Sequence, residues 1–105
     1  MTPPSYTTGS WRPLPGHEAA FLDEWREFAN WSAGMPGAHL AILARDLRDA
    51  DRFVSFMGWD GLDDVRNWKR SPEFKSRMAR VQAHIDKFAP TELEIVVTAG
   101  PGEAA

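Results

Sequence analysis

Asp64 and Trp68 stand four residues apart in the stretch Arg52 to Phe74, RFVSFMGWDGLDDVRNWKRSPEF. One helical turn separates them, so a carboxylate and an indole share one side of any helix formed here. Such a pair could stack a planar aromatic compound and accept an acidic proton such as that of a phenol. The plainer reading competes directly. A carboxylate early in a helix is favoured by the helix dipole, and an aromatic that follows Leu62 and Val65 at spacing three more often belongs to a packed stripe. Trp25, Phe56, Trp59 and His84 are the further candidates for substrate contact, since five tryptophans and six phenylalanines suffice to wall an apolar pocket. His84 follows Arg77 by seven residues, on one expected flank of the last helix, where it would reach a groove beside the core.

Other chemistries lose their residues. The chain has no cysteine, which removes disulfides, thiolate metal sites and cysteine nucleophiles. His17, His39 and His84 share no ligand spacing with one another, and no metal is expected. G-x-S-x-G, H-E-x-x-H and phosphate-cradling glycine patterns do not occur. Lys69 and Arg70, with Lys75, Arg77 and Arg80, read as a solvated helix face, with Glu73 four residues before Arg77.

The elements that must carry these residues follow from periodicity. Tyr6 to Arg12 alternates as a first strand, with Gly9 a bulge or a close approach. Gly16 is placed to cap a helix opening at His17-Glu18, in which Phe21, Trp25, Phe28, Ala29 and Ser32 form the apolar side. Gly34 stops it, and Met35-Pro36-Gly37 suits a turn. His39 to Asp46 and Phe53 to Trp59 are strands apolar on both faces, joined by a short charged hairpin. Asp60 is expected to cap the next short helix, and Ser71-Pro72 to restart it. Phe74, Met78, Val81, Ile85 and Phe88 then keep spacing four, three, four, three, which predicts one helix running to Pro90, with a last strand at Thr91 to Thr98.

The run of Trp59-Asp60, a short acidic helix, Asn67-Trp68 and Ser71-Pro72-Glu73-Phe74 resembles the antibiotic biosynthesis monooxygenase family of dimeric α+β barrels. Pro15-Gly16-His17-Glu18 with Phe21 and Trp25, and Arg45-Asp46 before Asp51-Arg52-Phe53, add to the likeness. The resemblance implies an α+β, ferredoxin-like domain: an antiparallel four-stranded sheet with helices on one face, closing as a dimer into a barrel. It also implies oxidation of an aromatic or polyketide-like compound without a bound cofactor, with Trp68 lining the pocket. Quinone-forming relatives tend to carry an asparagine where Asp64 stands. The haem-degrading branch is similar at Trp68 alone, since its asparagine and histidine correspond to Gly9 and Met78, so no haem is expected.

With 105 residues the chain has room for one domain, expected over residues 6–98 between tails at 1–5 and 99–105. The order strand, helix, strand, strand, helices, strand leaves one sheet face bare. Two-sided apolar strands make that face a patch too large to stay exposed, and a second copy of the chain is the simplest cover. A net charge of −3 argues against a sequence-independent nucleic-acid partner. No membrane segment or secretory leader is visible, and the cytoplasm is the expected location. Two functions stay open: a cofactor-independent monooxygenase, and a noncatalytic dimer that binds a small hydrophobic ligand or serves a pathway as an accessory domain.

Overall fold

The structure, a computed structural model, describes residues 3–101. Its elements are β1 (Ser5–Pro13), α1 (Glu18–Ala33), β2 (Ala38–Asp46), β3 (Asp49–Trp59), α2 (Leu62–Arg70), α3 (Pro72–Gln82) and β4 (Ile85–Glu94). The strands form one antiparallel sheet in the order β2-β3-β1-β4. This is the ferredoxin-like α+β arrangement, with the three helices on one face.

Alternation along β1 sorts the two faces. Ser5, Thr7, Gly9 and Trp11 are buried, while Tyr6, Thr8 and Ser10 are more open. On β3 the buried side carries Phe53, Met57 and Trp59, and these pack with Phe21, Phe28, Val65, Trp68 and Val81 of the helices. Among the described residues the opposite face has no helix. Tyr6, Leu40, Ile42, Phe56 and Leu93 lie on it, 40% to 74% exposed.

The last third of the chain differs from the periodic reading. The helix ends at Gln82, and Ile85 and Phe88 belong to β4, which runs from Ile85 to Glu94 instead of Thr91 to Thr98. Both side chains still pack on the core. The reason is a bulge: Pro13 pairs with Ile85 and Arg12 with Lys87, so Asp86 is an extra residue on β4. That insertion brings residues three apart onto one face of a strand, which imitates a helical stripe. Pro90 does not end a helix either. It pairs with Gly9 on a strand at the edge of the sheet, where a missing N–H disrupts no ladder.

Two helix caps also differ. Gly16 takes φ 81° one residue ahead of the cap, which is His17. The cap of α2 is Gly61, in extended conformation, because the Asp60 carboxylate is bonded to His39 instead. Ser71 caps α3 as expected, its hydroxyl accepting from the Glu73 N–H at 3.2 Å, with Pro72 in the first turn.

The turn before β2 is tightly specified. Ala38 N–H donates to the Met35 carbonyl at 3.1 Å, and Gly37 takes φ 78° between them. A Cβ on Gly37 would run into the Asp64 carboxylate. Gly37→Ala is therefore expected to cost about 1–3 kcal/mol from backbone strain alone. Adding Asp64→Ala should recover only the steric part, a difference that urea unfolding of the single and double variants measures.

Candidate functional site

Trp25, Trp59 and Trp68 lie in the layer between helices and sheet, with Trp59 and Trp68 buried and Trp25 half-buried. The Trp68 ring centroid is 4.8 Å from that of Trp59 and 4.8 Å from that of Phe74, which it meets edge-on, and 5.8 Å from that of Phe28. Its indole N–H donates to Ser32 Oγ at 3.0 Å. Trp59 donates in the same way to Thr7 Oγ1 at 3.1 Å, and Trp11 to Ser55 Oγ at 2.9 Å. Each buried indole thus has its polar edge satisfied by a hydroxyl of the chain itself.

The space left in that layer is small. A void of about 50 Å³ lies beneath α1, walled by Trp11, Trp25, Phe28, Met57 and Phe88 with the Ser32 and Ser55 residues. A pocket for a drug-sized ligand needs roughly 300 Å³ or more. Neither Trp68 nor Asp64 lines this void. Asp64 rests in the first turn of α2 with its carboxylate against the Gly37 turn.

The other substrate-contact candidates lie elsewhere. Phe56 is on the helix-free face, 40% exposed. His84 is not on the last helix but in the turn between α3 and β4, where its Nδ1 is 3.0 Å from Nδ1 of His17 and its carbonyl accepts from the Leu14 N–H. The structure thus brings Trp59 and Trp68 together, with Trp25 in the same layer, sets His84 and Asp64 apart from them, and leaves Phe56 on the helix-free face while it also borders the small void with Trp25.

The large cavity is on the helix-free face. It measures about 690 Å³ and sits at the end of the sheet where β1 begins and β3 ends. Leu40, Ile42, Phe56, Leu93 and Val96 supply apolar wall, and the His39 and Tyr6 rings lie beside Gly58. His39 reaches this place through a second bulge. Ala38 pairs with Trp59 and Ala41 with Met57, so β2 carries one more residue than β3 between those pairs, and both His39 and Leu40 line the cavity. His39 Nε2 lies 2.7 Å from Asp60 Oδ1. A carboxylate can only accept, so neutral His39 carries its proton on Nε2, and Nδ1 keeps its lone pair. Asp60 is positioned by its own N–H, which donates to the Gly37 carbonyl at 2.9 Å.

Sequence reasoning passed over this pair, treating His39 as an ordinary start of a strand and Asp60 as a helix cap. The available signal was Gly58, a glycine inside an otherwise apolar strand, which marks a close approach. A Cβ there would stand 3.0 Å from His39 Nδ1 and 3.5 Å from Tyr6 Cζ.

An antiparallel four-stranded sheet with helices on one face is the ferredoxin-like fold of the α+β barrel class. The chain belongs to the antibiotic biosynthesis monooxygenase family, whose sequence pattern matches residues 5–80. Its fold is that of SnoaB, a cofactor-independent oxygenase from Streptomyces nogalater, with a TM-score of 0.82 at 17% identity over 97% of this chain and 100% of that one. Rv0793 from Mycobacterium tuberculosis superposes with a TM-score of 0.81 at 16% identity, covering 92% and 99% of the two chains. A conserved protein from Methanosarcina mazei gives 0.80 at 12% identity, covering 89% and 93%. No curated protein matches the sequence. Among the described residues no helix is long and apolar enough to cross a membrane, and no three histidines or carboxylates are grouped to hold a metal ion.

Proposed function

We propose that the protein is a homodimeric oxygenase that takes a small hydroxylated aromatic or polyketide-like compound into the sheet-face cavity and oxidises it with dioxygen, without a bound cofactor. The observation that carries this reading is the cavity itself. About 690 Å³ of mostly apolar wall, with an imidazole and a phenol at one end, suits a planar substrate of two or three rings. The fold shared with SnoaB supports the reaction class, and the apolar face supports the dimer. A second sheet laid on the first would roof the cavity and take His39, 53% exposed in one protomer, out of water.

In the reaction a phenol takes one oxygen atom into the ring and the other leaves as water with two of the compound's hydrogens, giving a quinone. An electron-rich aryloxide can itself give electrons to dioxygen, so the protein must bind, orient and deprotonate. Oxygen uptake across a panel of hydroxynaphthalenes and hydroxyanthracenes is the test. Protein-dependent uptake with quinone formation is expected, and uptake no faster than buffer across the panel would sink the reading.

The filled layer around Trp68 favours a second reading, in which the dimer binds a hydrophobic compound and leaves it unchanged. Saturable binding of a panel compound with no oxygen uptake would select it.

A further inference from the structure

We propose that His17 and His84 form a two-nitrogen binding site for a late first-row divalent cation, with Zn2+, Ni2+ and Cu2+ as the ions it takes. The pair lies apart from the sheet-face cavity, at the end of the sheet where β1 stops and β4 starts. Both residues hang from helix ends, His17 as the cap of α1 and His84 in the turn after α3, so neither belongs to the helix-free face. One residue sets both positions. Leu14 accepts the His17 N–H at its carbonyl, at 2.9 Å, and donates its own N–H to the His84 carbonyl, also at 2.9 Å. Two half-buried side chains 67 residues apart in sequence are thus held on a common backbone anchor.

The distance between the rings suits a shared ion. Their Nδ1 atoms stand 3.0 Å apart, with the ring planes inclined by 44°. Two imidazole nitrogens on one zinc ion, each about 2.0–2.1 Å from the metal, are roughly 2.8–3.4 Å apart as their angle opens from a right angle to the tetrahedral one. In the free chain one Nδ1–H donates to the other Nδ1. An ion entering between them takes the place of that proton, which moves to Nε2 of the same ring, and both lone pairs then meet the metal. Among the described residues no third histidine or carboxylate joins the pair, so water fills the other positions. Imidazole favours Zn2+, Ni2+ and Cu2+, whereas Mg2+ and Ca2+ prefer oxygen ligands. Bound there, the ion ties the corner between β1 and α1 to the turn between α3 and β4.

Zn2+ titrated into the full chain, followed by the imidazole nitrogen resonances, tests the site. The chain has three histidines, so His39 is the internal control. The Nδ1 signals of His17 and His84 are expected to shift together and to saturate at one equivalent of Zn2+, with the Nε2 protons kept on both rings. His17→Ala and His84→Ala should each weaken binding about a hundredfold or more, because the second donor of a held pair binds as an intramolecular event. Thermal melts report whether the variants fold. An unchanged Kd in either folded variant, or His17 and His84 signals that move no earlier than those of His39, would mean an adventitious ion only and overturn the proposal. Should neither variant fold, the wild-type titration still decides, since Nδ1 signals that stay in place would leave a hydrogen-bonded histidine pair and no metal site.

Discussion

Trp68→Ala is expected to destabilise the protein by about 3–5 kcal/mol, the usual cost of removing a buried tryptophan. The ring is only 6% exposed and meets Trp59, Phe74 and Phe28, so its removal leaves a cavity bounded by three other aromatics. It also strips Ser32 of its hydrogen-bond donor. Trp68→Phe should cost less, about 1–2 kcal/mol, because most of the aromatic volume remains and one modest hydrogen bond is lost. In a domain of this size each kcal/mol lowers the melting temperature by about 4–8 °C. Binding of a hydroxyarene from the panel should be the same in Trp68→Phe and wild type. A Trp68→Phe variant of unchanged stability and lost binding would return Trp68 to the role of pocket wall and move the site back beneath the helices. Asp64→Asn extends the comparison: unchanged turnover with an identified substrate would remove that carboxylate from the mechanism.

The second large effect concerns assembly. Wild-type protein is expected to scatter light as a dimer of the 11.8 kDa chain at micromolar concentration. Ile42 and Phe56 pair across β2 and β3 on the helix-free face and are 47% and 40% exposed. Ile42→Asp with Phe56→Asp would place four carboxylates on the apolar face that the partner sheet would cover, at an effective cost of several kcal/mol for each unpaired buried ion. Monomers are the expected result. Lys75→Asp, on the exposed side of α3, should leave the dimer intact. A wild type that scatters as a monomer, or a double variant that stays dimeric, would remove the helix-free face from the interface.

The layered fold was legible because spacing reports which side of an element meets the core. Phe21, Trp25 and Phe28 gave α1, and Phe53 to Trp59 gave β3. Failure came where an insertion shifted phase: with one extra residue at Asp86, Ile85 and Phe88 satisfy a helical period while lying in a strand. Trp68 was legible as an aromatic of the α2 stripe, but its hydroxyl partner Ser32 comes from another helix, 36 residues earlier. His39 and Asp60 are 21 residues apart and meet only through the register of β2 against β3. Local spacing does not encode that meeting, and its sign in the sequence is Gly58 on the opposite strand, which marks a close approach without saying to what.

Pro90 bears on what the protein avoids. A sheet has two rims, and β4 forms one of them. An open rim of unpaired peptide groups is a template on which further chains can add strands without limit. Pro90 cannot donate to an incoming strand, and the Asp86 bulge kinks the same rim near its other end. Growth by strand addition is therefore obstructed along β4, while a two-fold contact through the broad face would close on itself after two copies. One ring side chain thus helps to separate a finite assembly from a fibre.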